Sequence, residues 1–193
     1  PPLGSITCNG IFLISQFKHH KSKRIIIVGG SIAGLFAGIL LRKLGWRVDI
    51  FERATNALAN RGAGITTHDQ LYAAFRQADI ALEQAVGLTS VGRAVFADNG
   101  ELIGSFEFPQ QVTSWGLLYR FLREKYPDEC YTYGREVIAL ESSPNGVRAR
   151  MRDGQEVHAD YLIGADGIRS TIRGLCEPTN HAKYVGYTAW RGL

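Results

Sequence analysis

Residues 23–52 constrain this chain more than any other stretch. Lys23 to Val28 is basic and then apolar, ends in four consecutive β-formers, and reads as a strand buried on both faces. Gly29-Gly30-Ser31-Ile32-Ala33-Gly34 follows. Ile32, Leu35, Phe36, Ile39, Leu40 and Leu44 then recur at helical spacing until Gly45 supplies a stop. Arg47-Val48-Asp49-Ile50-Phe51-Glu52 is a second strand. Strand, tight turn, helix and strand in about thirty residues make a βαβ unit, whose right-handed crossover implies a parallel sheet.

The glycine loop fits the dinucleotide fingerprint with Ser31 in place of the middle glycine. Gly29 makes the turn, and Gly34 allows helix and strand to pack closely. Ser31 narrows the backbone clearance but offers a hydroxyl where the helix dipole favours phosphate. A ligand-free glycine turn is the plainer alternative. Glu52 weighs against it: the residue ends the second strand 23 positions after Gly29, where an acid accepts hydrogen bonds from both ribose hydroxyls of an adenosine. An acid there disfavours a 2′-phosphate, so the loop is not expected to hold NADP.

Asp160 to Arg173 reads as a buried apolar strand, a sharp Asp166-Gly167 turn, and a short helix with two arginines, Arg169 and Arg173. An acid on such a turn suits a ribose hydroxyl beside a pyrophosphate. Arg61, in the glycine-flanked loop 53–66, either reaches a pyrophosphate or is an exposed arginine. Ser114 by itself reads as a helix N-cap, and Arg120 as part of a solvated face. Further helical spacing covers 68–86 and 114–125. Asn99-Gly100 marks a hairpin, and strands are expected around 136–142, 147–152 and 156–163. The fold class is therefore α/β, a doubly wound (Rossmann-like) domain over 24–180 with an antiparallel β insert around 93–110. Tyr184 to Leu193 points towards further sheet.

Composition excludes several alternatives. Of the formal net charge of +4, Lys18, Lys21 and Lys23 supply three, leaving little for nucleic acid. Cys8, Cys130 and Cys176 are widely spaced with no CxxC pair, which argues against a zinc site or disulfide framework and for a reducing, cytoplasmic compartment. No apolar run approaches bilayer length, so no membrane role is expected. His68 and His158 lack visible acid or nucleophile partners. Residues 1–23 read as a poorly ordered extension. The chain starts at Pro1, its sole Met is Met151, and it stops at Leu193 inside an apparent strand. Both ends are read as cut, with the fold truncated before its second half.

With these segments in place, residues 24–193 resemble the single-component FAD-dependent aromatic-ring monooxygenases of the p-hydroxybenzoate and salicylate hydroxylase type. That family carries a glycine-rich ADP loop, an acid ending the second strand, and an Asp-Gly segment patterned as charged, three apolar, two small, Asp-Gly, any, charged, Ser, any, apolar, Arg. Residues 160–173 meet every position. Gly29 to Gly34, Thr113-Ser114-Trp115 and Gly186 to Gly192 are most similar to the 2,6-dihydroxypyridine hydroxylase-like branch.

The resemblance implies backbone amides of residues 30–34 on the FAD pyrophosphate and Glu52 on the adenosine ribose. Arg53, next to Glu52, counts among the cofactor-binding residues, and Arg61 would lie near the FAD phosphates. Ser114 stands where many relatives use Arg or Gln against the cofactor. Asp166 and Gly167 would serve FAD and the transient docking of NADPH or NADH. The implied reaction is reduction of flavin by NAD(P)H followed by hydroxylation of a small aromatic substrate with dioxygen through a C4a-hydroperoxide. The family's second Gly-Asp segment, followed by Ala, His and Pro, is not found in 174–193, and no catalytic residue is assigned. An epoxidase or reductase of related build, and an inactive dinucleotide-binding fragment, are the alternatives.

Overall fold

The computed structural model describes residues 22–58, 64–82, 86–180 and 182–188. In chain order the elements are β1 (Arg24–Val28), α1 (Ile32–Lys43), β2 (Arg47–Phe51), β3 (Gly64–Thr66), α2 (Asp69–Gln77), β4 (Leu88–Phe96), β5 (Leu102–Ser114) and α3 (Trp115–Lys125). They continue as β6 (Tyr131–Thr132), β7 (Val137–Ser143), β8 (Gly146–Met151), β9 (Glu156–Ala159), β10 (Tyr161–Gly164) and α4 (Thr171–Cys176). Among the described residues these strands form three sheets: β10-β1-β2-β6, β3-β5-β4 and β7-β8-β9.

The first sheet is parallel, and its register sets up everything that follows. Val28 pairs with Gly164 on one side and Phe51 on the other, so β1, β2 and β10 end level with one another. β1 is central because it is apolar on both faces. Ile25 and Ile27 pack with Leu35, Ile39, Leu118 and Tyr126; Ile26 and Val28 pack with Val137, Ala149, Met151 and Ile172. Each of Ile25, Ile26 and Ile27 is at most 1% exposed, worth about 2 kcal/mol apiece in removal from water. Helices α1 and α3 cover one face, and the β7-β8-β9 meander lies with α4 on the other.

Several sequence expectations change here. The strand expected over 156–163 is two strands that break at Asp160: β9 pairs with β8 in the meander, and β10 pairs with β1. The Asp160 carboxylate marks the change of sheet, accepting the Arg24 N–H at 2.8 Å and the Lys23 ammonium at 3.3 Å. β10 is half-buried rather than buried, because it is an edge strand among the described residues, and Tyr161 is 53% exposed. The helix expected over 68–86 ends at Gln77. Asp79 there takes a positive φ of 56°, and the bonds Ile80 N–H to Phe75 O and Asp79 N–H to Arg76 O close a Schellman turn.

The insert expected at 93–110 is wider. β4 and β5 pair from Leu88 to Val112, and β3 adds a third strand. Residues 182–188 form no strand; 189–193, the rest of the segment expected to point towards further sheet, lie outside the described residues, as do residues 1–21 of the expected extension. Among the described residues no helix is long and apolar enough to cross a membrane.

Candidate functional site

The level ends of β1, β2 and β10 release three loops at one place, and a cleft of about 340 Å³ opens between them. β1 leads through α1 to β2 on one side and has β10 on its other side. That is a topological switch point, where open α/β sheets hold ligands. Gly29, Ser31 and Ala33 line the cleft from the first loop, Glu52 and Arg53 from the second, and Ala165, Asp166 and Gly167 from the third. Seven of the expected site residues therefore meet in one place. Gly30, Ile32 and Gly34 belong to the same loop and helix start but do not line it. Arg61 lies outside the described residues.

The loop's tight course depends on its glycines. Gly29 has φ of 103°, and a Cβ there would stand 2.4 Å from the Ala165 carbonyl oxygen; a side chain is excluded by conformation and by β10 alike. At Gly30 a Cβ would meet the Tyr131 hydroxyl at 2.0 Å, and at Gly34 it would meet the Gly29 carbonyl oxygen at 2.0 Å. Ser31 is the N-cap of α1, yet its side chain makes no capping bond. Among the described residues the Ser31, Ile32 and Ala33 N–H groups have no protein acceptor. A hydroxyl and unpaired amides at the positive end of a 12-residue helix suit a phosphate.

Glu52 is 7% exposed. Its Oε2 accepts the Gly30 N–H at 2.8 Å and its Oε1 accepts the Ala54 N–H at 2.8 Å. The carboxylate thus ties the two loops together. Each oxygen retains a lone pair on the cleft-lining residue, sufficient for a ribose hydroxyl. Its backbone is fixed as well, since the Glu52 N–H donates to Thr132 O and Arg135 N–H donates to Glu52 O, both at 2.9 Å.

Asp166, expected as a ribose acceptor, lines the cleft and also holds the chain that follows it. Its Oδ1 accepts the Ser170 hydroxyl at 2.5 Å, and its Oδ2 accepts the Thr171 and Ile172 N–H groups at 2.7 and 3.2 Å. The carboxylate secures the start of α4, and Ser170 completes the cap by accepting the Arg173 N–H at 2.9 Å. Of the two arginines placed on that helix, Arg169 precedes it and is exposed. The Arg173 guanidinium turns back to donate to Ile168 O at 2.6 Å. Gly167, at φ of 79°, lines the cleft beside Ala165 and Asp166.

Ser114 follows its plainer reading. It caps α3, accepting the Leu117 N–H at 3.1 Å, and does not line the cleft, whereas the adjacent Trp115 does. Other lining residues went unread in the sequence. Arg135 pairs with Asp153. Glu136 accepts from Arg152 Nε at 2.6 Å, and that bond lowers the Glu136 carboxyl below its usual range. Arg53 is exposed and makes no ion pair among the described residues, and its charge also acts to lower the Glu136 carboxyl. Arg135 and Glu136 sit just before β7, a spacing no local motif announces. Tyr131, beneath the loop, had only its aromatic character to signal it.

The sequence profile of the FAD binding domain family (FAD_binding_3) matches residues 22–184. The chain is 34% identical over 174 residues to 2,6-dihydroxypyridine 3-monooxygenase of Paenarthrobacter nicotinovorans, covering 88% of this chain and 43% of that protein. It is 28% identical over 185 residues to 6-hydroxynicotinate 3-monooxygenase of Pseudomonas fluorescens, covering 90% and 48%. The structure of 2,6-dihydroxypyridine-3-hydroxylase from Arthrobacter nicotinovorans superposes with a TM-score of 0.77 at 31% identity, over 86% of this chain and 42% of that one. The chain spans less than half the length of these relatives.

Proposed function

The chain belongs to the FAD binding domain family, and from that premise we propose that it forms the ADP-binding part of an FAD-dependent, NAD(P)H-consuming monooxygenase acting on a small aromatic or heteroaromatic ring. The observation that carries this reading is the buried Glu52 carboxylate clamped between the Gly30 and Ala54 amides, beside the uncapped Ser31 hydroxyl. One cleft then offers acceptors for a ribose and donors for a pyrophosphate, and its donor set fits the ADP half of FAD.

The roles divide by loop. Ser31, with the free amides that follow it, holds the pyrophosphate. Glu52 accepts the ribose hydroxyls, and Arg53 adds a positive charge at the rim. Trp115 supplies an apolar wall that limits water. Gly167 presents backbone to the cofactor and, transiently, to NADPH or NADH, while Asp166 keeps that turn attached to α4. Bound FAD supplies the redox chemistry by which dioxygen hydroxylates an electron-rich ring. Two relatives are named for acting on 2,6-dihydroxypyridine and 6-hydroxynicotinate, which supports hydroxylated N-heteroaromatics as the substrate class. Cys130 and Cys176 are free thiols, in keeping with a cytoplasmic setting.

The test supplies the protein, at the length its source makes, with FAD, NADPH or NADH and a panel of hydroxypyridines and hydroxybenzoates under labelled dioxygen. Hydroxylated product carrying one labelled oxygen is expected; oxidation of the nicotinamide without labelled product would exclude the monooxygenase reading. A second reading is favoured by the 43% coverage: the 193-residue chain alone binds the ADP half and turns nothing over. It expects nucleotide binding with no nicotinamide oxidation by this chain.

A further inference from the structure

Tyr131 is buried against the glycine loop and does not line the cleft. Its hydroxyl donates to the Gly30 carbonyl at 2.9 Å in a buried setting, and its side chain is 5% exposed. Burial pushes the phenol's pKa far up, so the hydroxyl keeps its proton and stays a donor. The ring cannot swing away. The Arg123 guanidinium lies 4.4 Å from its centroid and the Tyr133 ring 4.6 Å from it. Arg123 is itself held by Asp128 at 2.6 Å and the Tyr126 carbonyl at 3.0 Å.

The consequence follows from peptide geometry. The Gly30 carbonyl and the Ser31 N–H belong to one planar unit, and in a trans peptide they point in opposite directions. All peptides of the described residues are trans. Holding the carbonyl down towards Tyr131 therefore turns the Ser31 N–H up, away from the core and towards the cleft that Ser31 lines. The preceding peptide is fixed independently, because Glu52 takes the Gly30 N–H. β6 is the shared anchor: Tyr131 sets one peptide, and the next residue, Thr132, accepts the Glu52 N–H at 2.9 Å.

We propose that Tyr131 is a positioning residue of the cofactor site, orienting the Ser31 amide as a phosphate donor through the Gly30–Ser31 peptide. This rests on the ADP-site reading above and adds a division of labour to it. Tyr131 governs phosphate recognition, and Glu52 governs the nucleoside. A merely structural tyrosine would affect both equally.

The experiment compares ADP and adenosine binding to the chain and to Y131F by calorimetric titration. Loss of one amide–phosphate bond is expected to weaken ADP about ten-fold while adenosine changes less than about two-fold. Unchanged ADP affinity, or a parallel loss for both ligands, would overturn the proposal. Should Y131F not fold, the wild-type Ser31 amide resonance decides: it shifts with ADP and not with adenosine, and the absence of that difference overturns the assignment. If the wild-type chain binds neither ligand, the ADP-site reading itself fails and this inference with it.

Discussion

Glu52 and Gly30 are joined by a 2.8 Å hydrogen bond from the glycine N–H to the carboxylate, which fastens the end of β2 to the turn after β1. The same carboxylate reaches the Ala54 N–H. Two backbone amides, one of them buried, therefore depend on one acid. E52Q replaces one acceptor oxygen with an NH2 group, so one of these amides loses its partner. Stability is expected to fall by about 2 kcal/mol in urea unfolding. Adenosine affinity is expected to fall with it.

Gly29 tolerates no side chain. G29A would have to hold φ near 103° with its methyl 2.4 Å from the Ala165 carbonyl oxygen, and the neighbour is backbone that cannot rotate aside. A loss of about 3 kcal/mol or more is expected, with no measurable nucleotide binding. Circular dichroism and titration on the same sample check both.

Ser31 and Ser114 are both helix N-caps but differ in what their hydroxyls do. Ser31 makes no capping bond, and Ser114 accepts the Leu117 N–H. S31A should leave stability within about 0.5 kcal/mol of wild type and weaken ADP about five-fold. S114A should show the reverse, a loss of about 1 kcal/mol with nucleotide affinity unchanged.

Asp160 links stability to pH. The Arg24 N–H, and after it the Lys23 ammonium, hold its carboxyl below the ordinary value of 3.8. A depressed acid contributes stability above its unfolded pKa and loses it as pH falls through the folded one. The stability gap between wild type and D160N should therefore be constant from about pH 6 to 8 and shrink below about pH 4. A gap that widens in acid would contradict the assignment.

The legible parts of this molecule were those whose signal is local. β1 shows as an apolar run because it is buried on both faces, and the glycine loop shows because Gly29 and Gly34 have no substitutes at their close contacts. β6 was not legible: two residues, Tyr131 and Thr132, carry no periodicity. The break at Asp160 was hidden because alternation runs through it, and only long-range pairing assigns β9 and β10 to different sheets. Asp166 illustrates another difficulty. An acid after a strand looks the same whether it faces a ligand, secures a helix or does both, although Ser170 and Thr171, four and five residues on, were a usable hint of the helix contact.

Displacement of FAD by ADP tests the central claim most directly. The chain is titrated with FAD, followed by flavin fluorescence, and then challenged with excess ADP. If the cleft between Gly29, Glu52 and Gly167 holds the ADP half of the cofactor, FAD binds and ADP releases it competitively. FAD that does not bind, or that remains bound when ADP is in large excess, would contradict the assignment.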